Sequence, residues 1–136
     1  MTLTKEENKR IDEECAKRKA ELELFFADIR KKNAYVINWL KQNGFEEKVD
    51  LDFETLQWEK GDFDNCLIAI PPELNYGEGW RVNVSIEGHV EYDYDGFGKT
   101  AKAAIEDSKR RFIQAHKDWL QKLYGTVSAN NKRRVK

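Results

Sequence analysis

The chain has 136 residues, of which 40% are hydrophobic and 36% are charged, and its formal net charge is −1. The length predicts one domain with its own core, and the hydrophobic share excludes an intrinsically disordered chain. The charged share exceeds the roughly 25% usual for globular proteins, so much of the surface must be ionic. No run approaches the ~18 apolar residues of a membrane-spanning helix, so no membrane partner is expected.

The two cysteines, Cys15 and Cys66, have neither the spacing of a metal site nor the density of a secreted disulfide scaffold. The opening sequence MTLTKEENKR lacks the apolar core and the cleavage pattern of a secretory signal. We therefore expect a protein of the reducing cytoplasm.

Residues 4–40 carry a helical pattern. Thr4 followed by Glu7 forms a capping box, and a later Asn-Gly-Phe sequence predicts the helix end. Arg18 and Asn33 interrupt an apolar stripe that otherwise follows the period of 100° per residue. The stripe consists of Ile11, Cys15, Leu22, Phe25, Phe26, Ile29, Val36, Ile37 and Leu40.

An unbroken helix over this range would be about 55 Å long, whereas a compact domain of this size is about 36 Å across. Two alternatives follow. Either residues 1–32 project as a helical segment, or the chain breaks near residues 31–33. The long stripe also predicts a homodimer through this helix.

The middle of the chain predicts a four-stranded antiparallel meander. The first strand covers 49–58, where the apolar phase flips and indicates a bulge. A short buried strand at 66–70 ends at two prolines, and residues 80–86 alternate before a turn and a return strand over 90–94.

A second helix is predicted over 101–124, with Thr100 as its N-cap and Gly125 as its stop. One narrow apolar stripe should pack on the sheet, and a second stripe of Ile113, Leu120 and Tyr124 should receive the N-terminal helix. The fold class is therefore α+β, with a single domain over 1–125 and a flexible basic tail over 126–136.

The segment GFGKTAKAA over 96–104 ends its strand with the Gly-Lys-Thr of a phosphate-binding loop. Such a loop needs a glycine five residues before the Gly of Gly-Lys-Thr, and that position is Asp93, whose carboxylate would repel a phosphate. The glycines instead let the chain leave the strand, and Thr100 caps the helix. No nucleotide and no other cofactor is predicted.

The sequence contains no recognisable set of catalytic residues. The run over 91–102 imitates a calcium-binding loop, but its last position, which must chelate, is Lys102. His89 and His116 have no partner residue in a catalytic pattern. An enzyme that holds a divalent metal on a row of acids remains a third hypothesis, and no metal site is assigned.

Charge is segregated along the chain. Residues 46–95 contain 14 acidic and three basic residues, whereas residues 96–136 contain 11 basic and three acidic residues. Within the last helix, Glu106 should pair with Lys102 and Arg110, and Asp107 with Arg111. The net charge of −1 thus conceals an acidic sheet and a basic C-terminal region, each predicted to face a partner.

The candidate partner-binding residues follow from this segregation. The basic set is Lys99, Lys102, Lys109, Lys117, Lys132, Arg133 and Arg134. The acidic set is Asp50, Asp52, Glu54, Glu91, Asp93 and Asp95. We expect a non-catalytic binding protein that docks on another protein as a regulator or inhibitor, of the kind that mobile genetic elements encode. The alternative is a module that binds RNA or DNA through the basic set.

Residues 80–104 resemble the second half of a double-stranded-RNA-binding domain. In that family the helix begins with a Lys-Lys-x-Ala-Lys cluster that grips phosphates. Lys102 matches one of these lysines, and Ala101 and Ile105 occupy the other two places. The same stretch is similar to HicB-like antitoxins, in which a strand leads through a Gly-x-Thr turn into a helix.

Overall fold

The computed structural model describes residues 2–62, 65–87 and 89–115. Helices and an antiparallel sheet follow one another along the chain, which confirms the predicted α+β class. The helices are α1 Lys5–Lys32, α2 Ala34–Gln42 and α3, which begins at residue 101 and is described as far as residue 115. The strands are β1 Glu46–Asp50, β2 Thr55–Gly61, β3 Cys66–Ile70, β4 Trp80–Ile86, β5 His89–Val90 and β6 Gly96–Gly98. No helix in these ranges is long and apolar enough to cross a bilayer.

The N-terminal helical region breaks at Asn33, as one of the two alternatives predicted. Asn33 leaves the helical conformation at ψ 19°, and its side-chain amide donates to the carbonyl of Ile29 at 2.8 Å. The same amide donates to the carboxylate of Glu73 at 2.9 Å. Asn33 thus fixes the junction of α1 and α2 to the loop that precedes β4.

The sheet has two strands where the sequence predicted one bulged strand over 49–58. β1 and β2 form an antiparallel hairpin. The carboxylate of Asp50 accepts hydrogen bonds from the backbone N–H groups of Asp52 and Phe53, at 3.0 and 3.1 Å, and so builds the turn. The flip in apolar phase therefore marks a reversal of the chain and not a bulge.

The sheet consequently has five rows rather than four. β1, β2, β3 and β4 lie side by side, and β5 and β6 both pair with the free edge of β4. Between them the chain makes a single turn of 3-10 helix over Tyr92–Tyr94, where the N–H of Tyr94 donates to the carbonyl of Glu91 at 3.1 Å. The return strand predicted over 90–94 is therefore wrong for most of its length: only Val90 lies in a strand, and β6 begins after the predicted range.

All three helices contribute buried side chains to one core on one face of the sheet. In its centre the rings of Trp58 and Trp80 lie 5.7 Å apart and are fully buried. The core consists of Leu22, Phe26, Ile29, Ile37, Leu40, Phe45, Leu56, Trp58, Ala69, Trp80, Val82, Ala101, Ala104 and Ile105. The N-terminal helix thus packs into the core through Leu22, Phe26 and Ile29, whereas the sequence predicted that it packs on the second stripe of α3. In that stripe Ile113 is 54% exposed, and Leu120 and Tyr124 lie outside the described residues.

The glycines of the Gly-Lys-Thr segment let α3 approach the sheet. A Cβ atom at Gly96 would collide with the backbone of Ala104 and Ser108, and one at Gly98 would lie 2.7 Å from the Cβ of Ala103. The hydroxyl of Thr100 accepts from the N–H of Ala103 at 3.1 Å, as predicted for an N-cap. The predicted end of this helix and the basic tail lie outside the described residues.

Candidate functional site

The acidic residues predicted to bind a partner lie at two opposite edges of the sheet. Asp50, Asp52 and Glu54 belong to the β1–β2 turn at one edge. Glu91, Asp93 and Asp95 belong to the segment between β5 and β6 at the other edge. At about 4.8 Å per strand, four intervals separate these edges by about 19 Å. The six acids therefore do not form one surface.

The acids of the β1–β2 turn face basic residues of α1. Arg18 donates two hydrogen bonds to the carboxylate of Glu54, at 2.8 and 3.0 Å, and Lys19 lies 3.4 Å from Asp52. The hydrogen bond from Arg18 lowers the pKa of Glu54. Within the described part of the chain, α1 therefore partly neutralises the acidic turn.

Between α1 and this turn lies an open cleft of about 320 Å³, which we call the arm cleft. Its helical wall includes Ile11, Cys15 and Arg18, and the opposite wall includes Leu51 and Glu54. Every described residue of the 2–21 range is exposed, although α1 begins at residue 5. The first part of α1, residues 5–21, is about 25 Å long and contributes no residue to the buried core, and we call it the arm.

Asp95 is not part of an open acidic surface. Its side chain is 3% exposed, and one oxygen accepts from Arg81 at 2.5 and 3.0 Å. The other oxygen is buried and accepts no hydrogen bond from the described residues. Arg81 thus neutralises a buried carboxylate. Of the neighbouring acids, Glu91 is half-buried and Asp93 is exposed.

Asp107 ties α3 to the sheet edge. Its carboxylate accepts from the backbone N–H of Phe97 at 3.0 Å, and from Arg110 and Arg111 at 2.9 and 3.0 Å. The sequence predicted the ion pair of Asp107 with Arg111. It also predicted that Arg110 pairs with Glu106, whereas Arg110 pairs with Asp107. Burial opposes ionisation of Asp107, but the bonds from Phe97 and Arg111 outweigh it and lower the pKa of the carboxyl. The ring of Phe97 also lies near the guanidinium of Arg81 and that of Arg111, at 5.6 and 5.7 Å.

Asp107 should make the stability of the protein depend on pH. Because its pKa is lower in the folded state, the folded protein binds fewer protons at Asp107 than the unfolded chain does, and stability falls as acid is added. Asp107→Asn should be less stable than wild type at neutral pH, and the difference should shrink below about pH 4. Urea titrations of both proteins from neutral pH to below about pH 4 measure the difference in stability. A difference that is independent of pH would refute the role given to the Asp107 carboxylate.

The basic residues of the described helix are open to solvent. Lys99, Lys102 and Lys109 are exposed and form no ion pair with a described residue. Lys117, Lys132, Arg133 and Arg134 lie outside the described residues. The structure therefore leaves three predicted basic contacts available to a partner.

Lys102 lies beside an aromatic surface that the sequence did not indicate. This α2 surface consists of Tyr35, Val36, Trp39, Thr100 and Lys102, which line a cleft of about 210 Å³. Tyr35 is 89% exposed, whereas Val36 and Trp39 are half-buried against the core. Tyr35 and Trp39 are one helical turn apart and therefore share a face of α2. That spacing was the only signal in the sequence that could have found them.

Clusters of metal ligands and reactive thiols are two features on which catalysis can depend. The described ranges contain no group of three or more His, Cys, Asp or Glu that could hold a metal ion. Burial, helped by the charge of Glu59, raises the pKa of the Cys66 thiol, so it stays protonated and is a poor nucleophile at neutral pH.

Comparisons of the chain with protein-family models, with curated proteins and with solved structures found no match. The geometry of the arm cleft and of the α2 surface is therefore the basis for a functional proposal.

Proposed function

We propose that the protein is a non-catalytic binding protein that docks on another protein and acts as a regulator or inhibitor. The observation that carries this proposal is the arm: residues 5–21 are helical, yet each of them is exposed. A helix that is polar on nearly every side gains little from the core, and such helices often bridge to another surface. A partner protein would cover the part of the arm that the β1–β2 turn leaves exposed.

The arm cleft offers such a partner an apolar strip with a charged rim. Ile11 and Cys15 are one turn apart on the face of α1 that continues into the core as Leu22. Leu51 lies opposite them, and Arg18 and Glu54 form the rim. A helix or strand of the partner would bury the strip, while the rim would select the partner by charge.

Ile11→Glu should weaken binding of the partner at least tenfold, because it places a charge in the apolar strip. Affinity capture from the lysate of the organism that carries the gene, followed by titration of the captured protein, measures the loss. Ala16→Glu is the matched control, since it adds the same charge on the other side of the arm. Equal binding by both variants would refute the assignment of the cleft.

A second copy of the chain is the alternative occupant of the arm cleft, as the apolar stripe predicted. Light scattering across a range of concentrations tests this form of the proposal. A dimer in wild type that Ile11→Glu dissociates would identify the second copy as the partner. A monomer at every concentration would exclude the homodimer, and a different protein would then remain as the proposed partner.

Nucleic-acid binding is the second candidate, and the exposure of Lys99, Lys102 and Lys109 favours it. Three phosphate contacts on duplex DNA would give affinity a logarithmic salt slope of about −2.7. Gel shifts at low and at moderate salt measure the slope, and the absence of a shift at low salt would exclude this candidate.

A further inference from the structure

We propose that the α2 surface is a second binding site and that it takes an acidic protein segment carrying an apolar side chain. It is separate from the arm cleft and does not depend on it. The first observation is Tyr35, which is 89% exposed on a helix that packs into the core through Ile37 and Leu40. Exposed aromatic rings beside a cleft are typical of the residues that contribute most to protein–protein affinity.

The cleft beside Tyr35 is suited to an apolar side chain. Val36 and Trp39 form its floor, and because their inner sides pack on the core, the floor is held in place. Thr100 and Lys102 close the cleft from the side of α3. A rigid apolar floor with a single charged wall favours an apolar anchor with an acidic neighbour.

The charges around this cleft favour an acidic segment. Lys99 and Lys102 are exposed and make no ion pair with a described residue, and Glu106 is the one acid of α3 within a turn of Lys102. On the other side of Tyr35 a second depression is lined by Arg30, Lys41 and Glu47. Glu47 is already paired with Arg30 at 2.9 Å. The N-terminus of α3 adds a partial positive charge at the same place.

The same cations do not suit a nucleic-acid strand as well. A single strand is bound by a groove in which successive cations follow the phosphates. Here Lys41 and Lys102 line two separate depressions, which have Tyr35 in common. A peptide can place one apolar side chain in the cleft and carboxylates on either side of it, and so it matches the surface better.

The test uses a displayed library of random short peptides, selected on the full chain. The enriched sequences should place Asp or Glu around an aromatic residue or leucine. Fluorescence anisotropy with the enriched peptide should show that Tyr35→Ala and Lys102→Glu each weaken binding about tenfold or more. Both positions are exposed, so neither change should disturb the core.

Lys109→Glu is the matched control, because it makes the same charge change on α3 about 10 Å further along the helix. It and Ile11→Glu should leave peptide binding unchanged, which separates this site from the arm cleft. Peptides without acidic residues, or equal losses from Lys102→Glu and Lys109→Glu, would overturn the proposal. So would tighter binding of labelled oligodeoxythymidylate than of the enriched peptide, since that result would assign the surface to nucleic acid.

Discussion

Replacing Arg81 by methionine should lower the free energy of unfolding by about 3 to 5 kcal/mol, because the carboxylate of Asp95 then stays buried without its positively charged partner. Asp95 is 3% exposed, and Arg81 is the residue that supplies its described hydrogen bonds. Methionine keeps much of the aliphatic stem, so the loss reports mainly on the missing guanidinium. Guanidinium chloride titrations of both proteins at neutral pH measure it.

The double variant Arg81→Met with Asp95→Asn separates the charge from the packing. Asparagine has nearly the shape of aspartate but carries no charge, so the double variant should be more stable than Arg81→Met alone. A double variant as unstable as the sum of its two single variants would show that the two side chains do not act as a pair.

The sheet shows how far local pattern predicts a fold. The strands at 66–70 and 80–86 were predicted because their apolar residues alternate or run together between turn signals. The β1–β2 hairpin was missed because a flip in apolar phase is produced equally by a bulge and by a tight turn. The carboxylate of Asp50 decides between them, and the role of one side chain in a turn cannot be read from periodicity.

The candidate sites were harder to predict than the fold, because the numbers of acidic and basic residues in a segment do not show which side chains form ion pairs. The bond between Arg18 and Glu54 joins residues 36 positions apart, and that between Arg81 and Asp95 joins a strand to a turn. The α2 surface was missed for a related reason. The helical stripe assigned Val36 to the core. Tyr35 and Trp39 form a cleft only together with Lys102, which α3 places beside them in the folded protein.

Gly96→Ala should lower the free energy of unfolding by about 3 kcal/mol, since the added Cβ collides with the backbone of α3. The atoms it would meet belong to Ala104 and Ser108, so no side-chain rotation can relieve the contact. The helix must move away from the sheet, which also weakens the bond from Ser108 to the carbonyl of Tyr94, at 2.6 Å in the native protein. Thermal and chemical unfolding measure the loss.

Gly77→Ala distinguishes this collision from the general cost of replacing glycine. Gly77 has φ +73° and no neighbour within 4 Å of an added Cβ, so its replacement should cost only the strain of the left-handed conformation, about 1 to 2 kcal/mol. Gly96→Ala should also weaken binding at the α2 surface, because Thr100 and Lys102 move with α3. Gly96→Ala could instead lower the free energy of unfolding no more than Gly77→Ala does and leave peptide binding intact. That result would contradict the close approach of α3 to the sheet at Gly96.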